Sequence, residues 1–219
     1  MSMQPPPPPP PAVPPPPPPV GPSPFGSPAP SPRGSDVATF EVPYTEVRNR
    51  LTTAFRMILA IPHHIVRQVW QYFAGILAVI QWCSIVFTGK RQRGLFDLQH
   101  AFIRYHARVS AYVGLLSDPY PAFGATPSPS EPARYDLAFT EQANRLTSGL
   151  RLIWIIPAAI VGAVIGIGAV VVTVVSWFAI VLTGKHPRGM FDFLLRANRY
   201  VVRLMTYALL MTDAYPKFE

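Results

Sequence analysis

The chain has 219 residues, and 19 lysines and arginines against 11 aspartates and glutamates give it a net charge of +8. Such a length holds one or two small domains. The single cysteine, Cys83, rules out an intramolecular disulfide and a cysteine-built metal site. A basic balance points to nucleic acid or to anionic lipid headgroups. With 49% hydrophobic residues and no nucleic-acid module in view, the expected partners are membrane lipids and no nucleic acid.

Composition changes along the chain. Of the 28 prolines, 18 fall in the first 32 residues. Residues 1–38 therefore read as a disordered proline-rich tail, polyproline II at most, without a core of its own. The tail lacks the charged start and apolar run of a secretory signal. A solvated spacer is the plain reading of it; docking on an aromatic groove of a partner is the sharper one.

Beyond the tail the chain is duplicated. Shifted by 95 residues, 40–123 aligns with 135–218 without a gap, and 34 of the 84 positions are identical. Matched pairs include Asn49 with Asn144, Arg56 with Arg151, Pro62 with Pro157 and Trp82 with Trp177. Each copy closes on D-x-Y-P-x-F, at Asp118–Phe123 and Asp213–Phe218. Repeats set the architecture before any single motif does. The expected division is a first unit at 39–123, a proline- and serine-rich linker at 124–133 and a second unit at 134–219.

Each unit opens on a short alternating stretch, a weak strand signal at Phe40, Val42 and Tyr44. Leu51, Phe55, Ile58 and Leu59 then fall on one face of a helix, with Arg50 and Arg56 away from it. Pro62 and Pro157 should interrupt or kink that helix. In the second unit Ala158–Leu182 runs 25 residues without a charge, more than the roughly 20 that span a bilayer. In the first, Gln68–Phe87 is charge-free over 20 residues, which leaves His63, His64 and Arg67 at the interface. Both segments are expected to be transmembrane helices.

The apolar runs end in the same signature, SIVFTGKRQRGLFDLQ (Ser84–Gln99) and AIVLTGKHPRGMFDFL (Ala179–Leu194). T-G-K lacks the glycine spacing and the following serine or threonine of a phosphate-binding loop. A structural role accounts for it better. Gly89 and Gly184 take the left-handed cap. Lys90, Arg93, Lys185 and Arg188 meet the helix end and the headgroups, and Asp97 and Asp192 favour the start of the next helix.

That next helix, Leu95–Leu116 or Met190–Met211, carries a polar stripe. It is Asp97, His100, Arg104 and Arg108 in the first unit, and Asp192, Arg196, Arg199 and Arg203 in the second. Two placements fit. The helix lies in the interface with its arginines on lipid phosphates, which three cations against one acid favour, or it returns across the bilayer with the stripe inward. Units that cross once are inverted relative to each other; units that cross twice are parallel. A polar-cluster version pairs Asp97 with Arg50, Arg56 or Arg104, and Asp192 with Arg145, Arg151 or Arg199.

Little else carries chemistry. His63 and His64 are adjacent, so they do not share a helix face, and no H-E-x-x-H or carboxylate set accompanies them. No nucleophile elbow appears. Gly162, Gly166 and Gly168 favour close helix contact, within the chain or in a homodimer. No catalytic residue, metal or cofactor is implied, and a non-enzymatic role is expected.

The order RLTxxxR, an apolar segment bearing I-P, W-x-x-I-V-x-T-G-K-x-x-R-G-x-F-D, R-Y-x-x-R and D-x-Y-P-x-F resembles the DUF4389 family, twice over. That resemblance implies an uncharacterised membrane protein of a kind common in actinobacteria and supplies no catalytic residues. The expected fold is an all-α membrane protein of two tandem helical units, each with one apolar transmembrane helix and one arginine-striped amphipathic helix. The expected setting is the cell membrane, multi-pass, with the tail in the cytoplasm. The expected role is a scaffold or accessory subunit beside another membrane protein. A small transporter, channel or anionic-lipid-binding protein is the alternative.

Overall fold

The computed structural model describes residues 37–124 and 132–218. Most of the tail expected at 1–38 and most of the linker expected at 124–133 lie outside the described residues; Ala38, assigned to the tail, is buried in the core. Each unit contributes a short strand, a long apolar path and a returning helix. In the first these are β1 (Thr39–Glu41), α1 (Arg50–Thr88) and α2 (Arg93–Val113). In the second they are β2 (Arg134–Asp136), α3 (Arg145–Gly149), α4 (Arg151–Thr183) and α5 (Arg188–Ala208).

Local chemistry fixes the boundaries. Asn49 and Asn144 cap the first turns, each side chain accepting from the two backbone N–H groups that satisfy it best (Leu51 and Thr52, Leu146 and Thr147). Gly89 and Gly184 stop the long helices in the left-handed region, at φ of 75° and 76°. Pro62 does not end α1, which runs on for 39 residues in all. The second unit differs: its path divides at Leu150, directly after Gly149, where the first unit has Ala54. Glycine at that position weakens the helix where alanine supports it.

The two units fold about an internal twofold axis. β1 and β2 pair antiparallel with Phe40 opposite Tyr135, and these are the same position of the two repeats. The backbone contacts between the units recur with the roles exchanged. Arg48 N–H donates to Gly184 O and Ala143 N–H to Gly89 O. His186 N–H donates to Glu46 O and Arg91 N–H to Glu141 O. Trp177 Nε1 donates to Thr53 O at 2.9 Å, and Trp82 Nε1 to Ser148 O at 3.1 Å. The start of each long path therefore lies against the end of the other, so α1 and α4 run antiparallel from end to end.

Perpendicular to the ribbon, three layers stack. The inner face of the ribbon (Ala38, Phe40, Val42, Tyr135, Leu137) is buried with α2 and α5. On α2, Phe96, His100 and Ile103 turn towards the ribbon side, and His100 meets the Tyr135 ring at 4.9 Å. Half a helical turn away, Phe102, Tyr105 and Tyr112 meet Trp70, His63 and Arg56 of α1. On α5, Arg199 Nε donates to Phe40 O, while the next residue, Tyr200, donates its hydroxyl to Ala158 O of α4. The ribbon, then α2 with α5, then α1 with α4 is the order of the layers.

The outer layer is inside out by the standards of a soluble protein. Leu51, Phe55, Ile58 and Leu59, the apolar face of the first helix, are exposed, Leu51 by 68%, whereas Arg56 is 1% exposed. Only 6% of the most apolar stretch of α4 is buried.

Candidate functional site

The two repeats meet at two equivalent seams, one at each end of the long helices, and each is organised by the aspartate of D-x-Y-P-x-F. At the first, Asp118 receives Arg56 Nη2 at 2.7 Å and Arg48 Nη1 at 3.6 Å, and accepts from Asn49 N–H. At the second, Asp213 receives Arg151 Nη2 at 2.9 Å and Arg91 Nη2 at 2.8 Å, and accepts from Asn144 N–H. All four arginines are nearly fully buried.

The second arginine comes from a different place in each seam. Arg48 corresponds to Ala143 and Arg91 corresponds to His186, so each seam keeps one two-cation clamp from two unrelated positions. The excess positive charge is absorbed by carbonyls at the ends of the returning helices. Arg56 Nη1 donates to Tyr112 O and Ser117 O, Arg48 Nη2 to Leu116 O, and Arg91 Nε to Leu210 O. Cations at a helix C-terminus complement its dipole. Leu115 and Leu210, both with φ of 61° and both buried, turn the chain there. His186 is fully buried in the first seam, and burial together with Arg48 and Arg56 holds its imidazole down to about 4.

The signature residues join the units at the same seams. Lys90 pairs with Glu141 at 2.8 Å and Lys185 with Glu46 at 2.9 Å, each across the twofold. Those carboxylates hold both ammonium groups above their ordinary range. Arg93 and Arg188 lie over the Phe139 and Tyr44 rings of the other unit. Asp97 and Asp192 pair with Arg93 and Arg188 one turn back, and not with the cluster arginines considered from sequence. A Cβ on Gly89 or Gly184 would meet Arg145 or Arg50 of the opposite unit at 2.8 or 2.9 Å.

Most of the arginine stripe turns inward, Arg196 alone among its arginines staying exposed, over Asp192 O. Besides Arg199 on β1, Arg203 donates to Lys217 O, Arg108 to Gly124 O, and Arg104 reaches His100 Nδ1. The stripe therefore holds the ribbon and the segments after each returning helix.

Among the described residues no three His, Cys, Asp or Glu come together to hold an ion. His63 Nδ1 meets Tyr105 hydroxyl at 2.8 Å, in the place where Tyr200 bonds the Ala158 carbonyl in the second unit. Gly162 and Gly168 admit Leu204, Tyr200 and Phe193 of α5, a contact within the chain. Sequence reasoning passed over Asp118 and Asp213 as site residues, although both repeats keep an aspartate there alongside Arg56 and Arg151.

These features define a duplicated helical unit closed on itself by an internal twofold, with its apolar helices outermost. The family model described as Domain of unknown function (DUF4389) matches residues 50–125 and again 145–219. The chain belongs to the DUF4389 family and carries two copies of its domain. No curated protein and no solved structure matches the chain.

Proposed function

We propose that this protein is a non-enzymatic integral membrane protein of the cell membrane, anchored by α1 and α4, that serves as a scaffold or accessory subunit for another membrane protein, with its proline-rich tail in the cytoplasm. One observation carries the membrane reading. The longest apolar stretches of the chain form the outermost layer, while arginines fill the seams inside. A large exposed apolar surface marks a protein or membrane contact. A charge-free run of 25 residues exposed around most of its circumference fits acyl chains better than any single protein face. Alkaline carbonate washing of membranes tests this: the protein should stay in the pellet, and release into the supernatant would refute it. Purification in mild detergent tests the scaffold role, for which a reproducible membrane-protein partner is the expected result.

A second reading, contact with anionic lipid, is supported by the cations at the seams. Arg50, Lys185 and Arg188 are exposed at one, and Arg145, Lys90 and Arg93 at the other. Such residues add affinity for anionic headgroups. Charge reversal at Arg50 and Arg145 should weaken binding to anionic vesicles and leave binding to neutral ones unchanged.

A further inference from the structure

Length and composition let α1 and α4 cross a bilayer, but the twofold constrains how the molecule can lie in one. The axis passes between Phe40 and Tyr135, perpendicular to the ribbon, and leaves the protein through the ribbon's outer face. Glu41, Arg134 and Asp136 are exposed there. At the other pole of the axis lie α1 and α4. The two seams are exchanged by the axis, so the line joining them is perpendicular to it. Each long helix begins at one seam and ends at the other, and its end-to-end direction is likewise perpendicular to the axis.

We infer that the protein enters the membrane from one side, with its twofold along the membrane normal. α1 and α4 are then embedded lengthwise in one leaflet, both seams sit at headgroup level, and the ribbon faces the water on that same side. This rests on the membrane reading above, and it commits the apolar layer to one occupant, the acyl region of a lipid leaflet.

Charge placement argues for this disposition. If the long helices crossed in opposite directions, the axis would lie in the membrane plane. The outer face of the ribbon would then stand at mid-depth. Three exposed charges would face acyl chains, which offer no water to satisfy them. With the axis along the normal, the same charges are in water. The six seam cations named above, four of them paired with Glu46, Glu141, Asp97 and Asp192, then fall with those carboxylates at one depth, that of the headgroups.

The test uses the full chain with Cys83→Ala in membrane vesicles of both orientations, and a membrane-impermeant maleimide. Thr45→Cys and Gln92→Cys mark the two ends of α1, and Pro187→Cys the end of α4; all three positions are exposed. The expected result is labelling of all three from one and the same side. Labelling of 45 and 92 from opposite sides would overturn the inference while leaving the membrane reading intact. Protection from both sides, relieved by detergent, would overturn it as well, because both ends would then lie in the bilayer. Release of the protein by carbonate would overturn the membrane reading itself.

Discussion

Phe40 faces Tyr135 across the ribbon, and each is the other's counterpart in the repeat. A pair of that kind places a twofold axis between two halves of one chain. The T-G-K signature then acquires a partner: the lysine of each repeat reaches the glutamate at the start of the other.

Val47 and Lys185 stand opposite each other in an antiparallel bridge between the units. Directly opposed residues of such a bridge have the spacing a disulfide needs. In a Cys83→Ala background, Val47→Cys with Lys185→Cys should oxidise readily. With a protease site placed between residues 125 and 131, the cleaved fragments should run as one band without reductant and as two with it. Two bands under both conditions would place the units apart.

Among the described residues, Asp213 is the only carboxylate on Arg91 and Arg151. Asp213→Asn should lower unfolding stability in detergent by about 3 kcal/mol, the low end for a broken buried pair because this side chain is 30% exposed. Asp118→Asn should behave alike at the other seam. Chemical denaturation checks both, and a loss below about 0.5 kcal/mol would deny the aspartates their organising role.

Gly184 combines a left-handed backbone with a Cβ position 2.9 Å from Arg50 Nε. Gly184→Ala should cost about 1–2 kcal/mol from backbone strain. Gly166→Ala, with nothing near its Cβ, should be neutral or mildly stabilising. Thermal melts of the two variants separate the cases.

His186 is neutral in the fold, held at about 4, against an ordinary value near 6.5. Its folded value lies below the unfolded one, so the unfolded chain takes up the proton first as pH falls. Stability is therefore complete above about pH 6.5 and declines towards pH 4. Burial sets this first, followed by Arg48 and Arg56, and Asp118 and the Leu115 backbone oppose it. His186→Gln should flatten that part of the melting-temperature profile, and an unchanged slope would exclude His186 as its source.

Much of the architecture is legible in the sequence, for reasons tied to particular residues. The duplication, the glycine stops and the asparagine starts depend on local pattern, which a sequence displays directly. The side towards which the pattern faces does not. Leu51, Phe55, Ile58 and Leu59 mark an apolar face, and periodicity says nothing of whether a core or a lipid receives it. The seams were hidden for another reason. Arg48 and Arg91 perform one task from positions that do not align, and their carboxylates lie 70 or more residues away in a motif that reads as a turn. The arginine stripe is plain in sequence, but Arg108, Arg199 and Arg203 donate to backbone carbonyls, which carry no residue identity.

Polarised infrared spectroscopy of the protein in aligned bilayers tests most directly how the fold meets the membrane. All four long elements run between the two seams, so one-sided embedding lays them near the membrane plane. The amide I dichroism should then be that of in-plane helices. Dichroism characteristic of helices along the membrane normal would contradict it.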